Sequence, residues 1–271
     1  MNYVIDHDLH IHSQISPCSN DPLQNKDSIF AYGKQLGLKL LCVTDHFWDL
    51  NIDFQGYPGW VDVGNEKLKS ILPLPQDKQC RFLMGAEVDM NAAEILGIDN
   101  TLLKELDFCI LSLGHLWLKG FTVPADIPPL DPQTKKAIYQ KRLLLLLRRN
   151  DLDFRKIGLG HFTTGFEKET LALFTNEEYK EIFSLAAQKG VGVELNFNSY
   201  TEDTETLAEI VRPYQIAKEA GCKFYLASDA HHPADFIGAY KKFQGMINAL
   251  DLQEDDKWDF VKKQINTLQT N

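Results

Sequence analysis

The 271-residue sequence is poor in cysteine, has no long apolar run and carries no excess of positive charge. Its five cysteines (Cys18, Cys42, Cys80, Cys109 and Cys222) are odd in number, widely spaced and form no CxxC pair. That usage argues against a disulfide framework and suits a reducing compartment. Cys42 and Cys109 lie inside apolar runs and read as small packed hydrophobes. No apolar stretch approaches the ~20 residues a membrane span needs. The longest aliphatic run, Leu143 to Leu147, is bracketed by Lys141-Arg142 and Arg148-Arg149 and reads as a buried helix face. The net charge of −10 lacks the basic face that nucleic acid requires, so no nucleic-acid partner is expected. A small anionic substrate stays open, because bound divalent cations reverse the potential of a cleft. Met1–Asp6 has neither a basic segment nor an apolar core, so a signal peptide is not expected. The expectation is a soluble cytoplasmic protein that avoids membranes. With no repeat, linker or low-complexity segment, it reads as a single domain over residues 1–271.

What is present is an alternation of β-like and helix-like segments. Strands are expected at Tyr3–His12, Lys39–Thr44, Arg81–Val88, Phe108–His115, Lys156–His161, Val191–Phe197 and Lys223–Ser228. Helical spacing marks Asp27–Leu36, Pro132–Arg149, Asn176–Lys189 and Glu205–Ala220. Gly37, Gly190 and Gly221 are placed as helix stops, and Asn176 before two glutamates as an N-cap. Such alternation means parallel strands joined by right-handed crossovers. Two longer irregular stretches, Phe47–Gly64 and Trp117–Asp131, follow expected strands, carry Trp48, Trp60 and Trp117, and suit loops that cover a substrate.

Six of the eight histidines close strand-like runs: His10, His12, His46, His115, His161 and His231. Glu87 closes one more, and Asp229 shares the run that His231 closes. An open sheet gathers ligands at one switch point, whereas a barrel brings every strand end round one mouth. The expected fold is therefore α/β, a distorted TIM-like (β/α)7 barrel with a metal site at its C-terminal mouth. Alternate residues of a strand face the same way, so His10 and His12 can share a cation, as can Asp229 and His231. Imidazole and carboxylate donors suit zinc, manganese or iron. His7 and His232 fall on the other side of the alternation and read as structural. Asn196 at the end of the sixth expected strand is a candidate substrate contact, with Glu194 beside it. Lys119, Arg142 and Arg148 could hold a phosphate, although solvated charge is the simpler reading of each.

The run Asp8-Leu9-His10-Ile11-His12-Ser13, followed by Val43-Thr44-Asp45-His46, resembles the polymerase and histidinol phosphatase (PHP) family. Gly85-Ala86-Glu87, Gly114-His115, Gly160-His161 and Ser228-Asp229-Ala230-His231 are similar to its remaining motifs, in the same order. The resemblance implies two to three divalent ions (zinc, manganese or iron) at the mouth of a seven-stranded barrel. It implies one metal on His10, His12, Glu87 and Asp229, and a second bridged by Glu87 and completed by His115 and His161. It assigns His46 and His231 to a third, for which Cys18 and then Asp21 stand near the place of a further family ligand. It further implies hydrolysis of a small phosphorylated substrate, a phosphomonoester such as histidinol phosphate, by water activated between cations. Glu87, Asp229 and His231 are the candidate catalytic residues. The alternatives are a phosphodiesterase or nuclease-like enzyme, a hydrolase of carbon–nitrogen bonds, and a metal-binding regulatory module without catalysis. The oligomeric state is left open.

Overall fold

The apolar runs become eight strands: β1 (His7–Ile11), β2 (Leu40–Val43), β3 (His46–Phe47), β4 (Arg81–Asp89), β5 (Phe108–Ser112), β6 (Ile157–Leu159), β7 (Gly192–Asn196) and β8 (Lys223–Ala227). The structure is a computed structural model and describes residues 1–19, 21–52 and 63–269. All pairings between these strands are parallel, in the order β1-β2-β4-β5-β6-β7-β8, with the two-residue β3 beside β4. Covered by side chains on both faces, such strands read as continuous apolar runs in sequence. The seven-strand path is the expected one, and β3 adds a rim that sets His46 opposite Glu87.

The sheet closes on itself between β8 and β1, giving the distorted TIM-like (β/α)7 barrel. Side chains do part of the work of a ladder at this seam. The Leu226 N–H donates to His7 Nε2 (2.9 Å) and the Ser228 N–H to Asp8 Oδ1 (2.9 Å). Backbone bonds take over toward the mouth, where the Asp229 N–H donates to His10 O (2.7 Å) and the His12 N–H to Ala230 O (2.9 Å). The pairing of β1 with β2 shifts register between Asp8 and Ile11. A shift of this kind re-aims side chains. Leu9 accordingly joins the apolar interior while His10, the next residue, meets the polar cluster above it.

Nine helices are described: α1 (Lys26–Gln35), α2 (Asn65–Lys69), α3 (Asn100–Leu103), α4 (Pro132–Leu147), α5 (Lys168–Ala172), α6 (Asn176–Lys189), α7 (Thr204–Glu219), α8 (Ala239–Ala249) and α9 (Asp259–Gln269). The N-cap of α6 is Thr175, one residue before the expected Asn176, because Thr175 and Glu178 form a reciprocal capping box. Gly37, Gly190 and Gly221 do take positive φ at the helix ends. The short helices, α8 and α9 were not legible in the periodicity. Phe260, Val261 and Ile265 of α9, with Trp258, plug the N-terminal end of the barrel against Leu9, Leu40, Phe108 and Tyr225. No helix among the described residues is long and apolar enough to cross a membrane.

Candidate metal centre

Strand ends bring the imidazoles together at the C-terminal mouth. His10 Nε2 and His12 Nε2 are 3.1 Å apart. His12 Nε2 lies 3.2 Å from Glu87 Oε2 and 3.3 Å from Asp229 Oδ1, and His10 Nε2 lies 3.6 and 3.4 Å from the same two oxygens. His46 Nδ1 reaches Glu87 Oε2 at 3.1 Å. On the other side of Glu87, His161 Nδ1 and His115 Nε2 stand 3.5 and 3.7 Å from Oε1 and 2.9 Å from each other. His161 Nε2 closes the ring of contacts on Asp229 Oδ2 at 3.0 Å. His231 is half-buried at the rim, its ring stacked 4.2 Å from that of His12.

Outer partners fix these rings. Glu194 Oε2 accepts from His10 Nδ1 (2.8 Å) and Asp89 Oδ1 from His115 Nδ1 (2.8 Å), which leaves each Nε2 free to face the centre. Ser112 donates to Glu87 Oε1. Glu194 is itself held by the Tyr225 hydroxyl, the Asn196 amide and the His161 N–H. A Cβ at Gly160 would lie 2.4 Å from Ile110 Cγ2 and 3.0 Å from Ser112 Oγ. That glycine keeps room for the outer partners. His161 (φ 51°) and Asp229 (φ 53°) both occupy the left-handed region. Strain of that kind, about 1–3 kcal/mol per residue, gathers where a site needs its side chains aimed.

Burial works to raise the Glu87 carboxyl, but His46, His161 and His10 outweigh it and hold the group well below its ordinary value. The same opposition, with His161 and His10 as the main partners, lowers Asp229. Burial would push protons off His10, yet Glu194, Asp229 and Glu87 keep it protonated well above the usual range. His12 is raised in the same sense against burial, chiefly by Cys18 and Asp229, and His115 is raised to about 9, chiefly by Asp89. Two oxygens remain unsatisfied: Glu87 Oε2 and Asp229 Oδ1 are buried and accept no hydrogen bond. Four sets of three donors place their ligand atoms within 4.8 Å of one another: His10, Glu87 and His161; His10, His12 and Asp229; His12, His46 and Glu87; and His12, Cys18 and His231. Converging neutralisable imidazoles around orphaned carboxylate oxygens fit divalent cations of the zinc class.

The structure thus gathers His10, His12, His46, Glu87, His115, His161, Asp229 and His231. Strand alternation accounts for His10 and His12 only in part, given the register shift. It does not account for Asp229 and His231, which lie beyond β8 and meet through a turn. Cys18 stands at the rim beside His12. Asp21 does not reach the centre; its carboxylate pairs with His232 Nε2 at 2.7 Å. Asn196 donates to Asp229 Oδ2 (3.2 Å) as well as to Glu194. His7 bonds Asp6 and the Leu226 N–H, a structural place as expected. The phosphate candidates lie elsewhere. Lys119 donates to Ile127 O, Arg148 pairs with Glu181, and Arg142 is buried against the Thr122 and Asn91 carbonyls. Trp117 lines the mouth beside His115, whereas Trp48 packs with Phe121; Trp60 and residues 53–62 of the first long loop lie outside the described residues. Sequence reasoning missed Asp89 and Ser112, and it left Glu194 without a role. The i, i+2 relation of Glu87 and Asp89 in β4 was the available signal for the first.

The cavity over the centre is small, about 180 Å³, and shares Thr164 and Gly165 with a neighbouring cleft of about 260 Å³. A larger groove of about 700 Å³ lies at the opposite end, beside Trp258, and holds none of these groups. Among the described residues, the lining of the central cavity includes neither lysine nor arginine.

No family model and no curated protein matches the sequence. Solved structures do match. A histidinol phosphate phosphatase from Lactococcus lactis subsp. lactis Il1403, solved with zinc, L-histidinol and phosphate, is 17% identical with a TM-score of 0.57 over 94% of this chain and 98% of that one. A structure from Listeria monocytogenes, named provisionally as a histidinol phosphatase, is 15% identical with a TM-score of 0.56 over 88% and 99%. At such identities the likeness is one of fold. The ordered motifs of the sequence thus sit on a barrel similar in fold to these two structures.

Proposed function

We propose that this chain is a metal-dependent phosphoesterase acting on a small phosphomonoester. One observation carries the reading: six imidazoles surround two buried carboxylates, each with an oxygen that accepts no hydrogen bond. Uncompensated buried carboxylate oxygens are costly unless a cation completes them. His10, His12, Glu87 and Asp229 would hold one cation, and Glu87 with His115 and His161 a second. His46 and His231 remain for a third. Divalent cations bound there would supply Lewis acidity, activating water near neutral pH and neutralising charge on a phosphoryl group.

The chain's own part is positioning. Glu194 and Asp89 hold His10 and His115 with the proton on Nδ1, and Ser112 orients Glu87. Asn196 steadies Asp229 from the opposite edge. His231 Nδ1 donates to the Asp229 carbonyl (2.8 Å), which leaves Nε2 with a lone pair for a cation or for a proton moving to the leaving oxygen. With no lysine or arginine in the described lining, imidazoles and cations carry the neutralisation of phosphate oxygens. The adjoining cleft presents the hydroxyls of Thr164, Ser199, Thr201 and Thr206 with Lys168, space that suits a small polar leaving group. The likeness to a phosphatase solved with L-histidinol and phosphate supports that substrate class, and histidinol phosphate is one member of it.

The test is phosphate release by metal-loaded protein over a panel of monoesters and diesters, with metal content measured in parallel. Glu87→Ala should lose bound metal and at least about 100-fold in kcat/KM, since even outer partners of metal ligands cost 10–100-fold. Full metal occupancy with no release from any ester would reject catalysis in favour of a binding module.

A further inference from the structure

Cys18 differs from the other four cysteines. Cys42, Cys80, Cys109 and Cys222 are buried and donate to the backbone carbonyls of Val43, Arg81, Ile110 and Phe183. Cys18 is exposed at the mouth, its Sγ 3.2 Å from Ser16 Oγ and 3.8 Å from His12 Nδ1. One ligand atom from each of His12, Cys18 and His231 lies within 4.8 Å of the others. The turn that carries the thiol is built into place from both sides. Ser13 is bound through its N–H and hydroxyl to Asp45 (2.7 Å each), and Ser19 Oγ donates to the His231 carbonyl at 2.5 Å. Gln24 ties the His12 and Ala230 carbonyls together beneath it. Glu87 Oε2 and Asp229 Oδ1, buried and without hydrogen bonds, point at His12 Nε2 from the inner side.

We propose that Cys18 is a thiolate ligand to a cation held at the outer edge of the centre beside His231 and His12, and that this position takes zinc in preference to manganese. The inference rests on the metal-centre reading above. Sulfur with imidazole is the donor set of borderline-soft zinc, whereas manganese favours oxygen. On binding, the S–H bond breaks, a sulfur–metal bond forms and the proton leaves to solvent at the mouth. Cys18 thereby makes one position of an otherwise nitrogen and oxygen site selective for thiophilic metals.

The experiment uses the full chain loaded with cobalt(II). The expected result is a near-ultraviolet thiolate-to-cobalt charge-transfer band that is lost in Cys18→Ser, while the visible cobalt bands of the inner positions persist. Zinc content should fall by one ion per chain in the same variant. Wild-type protein supplies a readout independent of the variant's folding: zinc should slow iodoacetamide alkylation of Cys18, read by peptide mass, by at least about tenfold. Cobalt bound without a sulfur band, or equal alkylation with and without zinc, overturns the Cys18 assignment alone. A chain that binds no cobalt or zinc overturns the metal-centre reading as well.

Discussion

The two ends of the barrel both bury charge, and they dispose of it differently. At the N-terminal end, Lys257 is almost fully buried and places Nζ 3.0 and 2.9 Å from the two Asp6 oxygens and 2.7 Å from Glu254. Asp6 also accepts from His7, so this end closes its own charges. At the mouth, Glu87 and Asp229 face imidazoles and keep one oxygen each without a hydrogen bond. Buried charge satisfied within the chain is a structural element; buried charge left incomplete is a place for a cation.

Exchanging the two losses should break the comparison most visibly. Lys257→Ala leaves Asp6 without its cation, with only the His7 hydrogen bond, and should cost about 3–5 kcal/mol in urea unfolding while metal content stays unchanged. If Lys257→Ala unfolds like wild type, the floor pair is ornamental and the contrast fails. A smaller effect is expected from the outer shell of the mouth. Asp89→Asn keeps the shape beside His115 but weakens its acceptor, and should lower metal affinity about 10–100-fold with unchanged circular dichroism. Unaltered affinity by competition with a chelator would show that Asp89 is only packing.

The smallest effects are those of pH, and their signs oppose. Burial lowers His7, so the unfolded chain takes up a proton that the folded ring refuses as pH falls below ~6.5. Asp6, lowered against burial by His7 and Lys257, gives stability that is lost as pH falls through its folded value. The floor therefore weakens on acidification, and His7→Gln should flatten the fall in urea midpoint between pH 7 and 5. At the mouth, raised His10 and His12 stabilise the metal-free protein below their unfolded values, and that contribution disappears as pH rises through the folded ones. Because cations compete with those same protons, zinc loading should improve as pH rises. Zinc retained equally at pH 5 and 8 would remove these imidazoles from the ligand set.

Much of this was visible in the linear order of residues. The seven-strand path, the helix stops and the histidines at strand ends follow from periodicity and from glycine and imidazole chemistry. The outer partners were harder to see. Glu194 meets His10 from 184 positions away, and Asp89 meets His115 across a crossover, so no local pattern joins them. Lys119, Arg142 and Arg148 looked alike as candidates, and only packing revealed that Arg142 is buried against carbonyls away from the centre. The helix α9 plug was missed because its apolar contacts lie with strands far away in the chain.

The sequence by itself determined the alternating strands and helices and the residue types at the strand ends, since side-chain period and ligand chemistry are local properties. Tertiary structure alone decided which rings face one another, which oxygens stay unsatisfied and that the thiol of Cys18 joins the rim. Those outcomes depend on the closing seam, the register shift in β1 and the left-handed turns at His161 and Asp229, where through-space distance replaces sequence spacing.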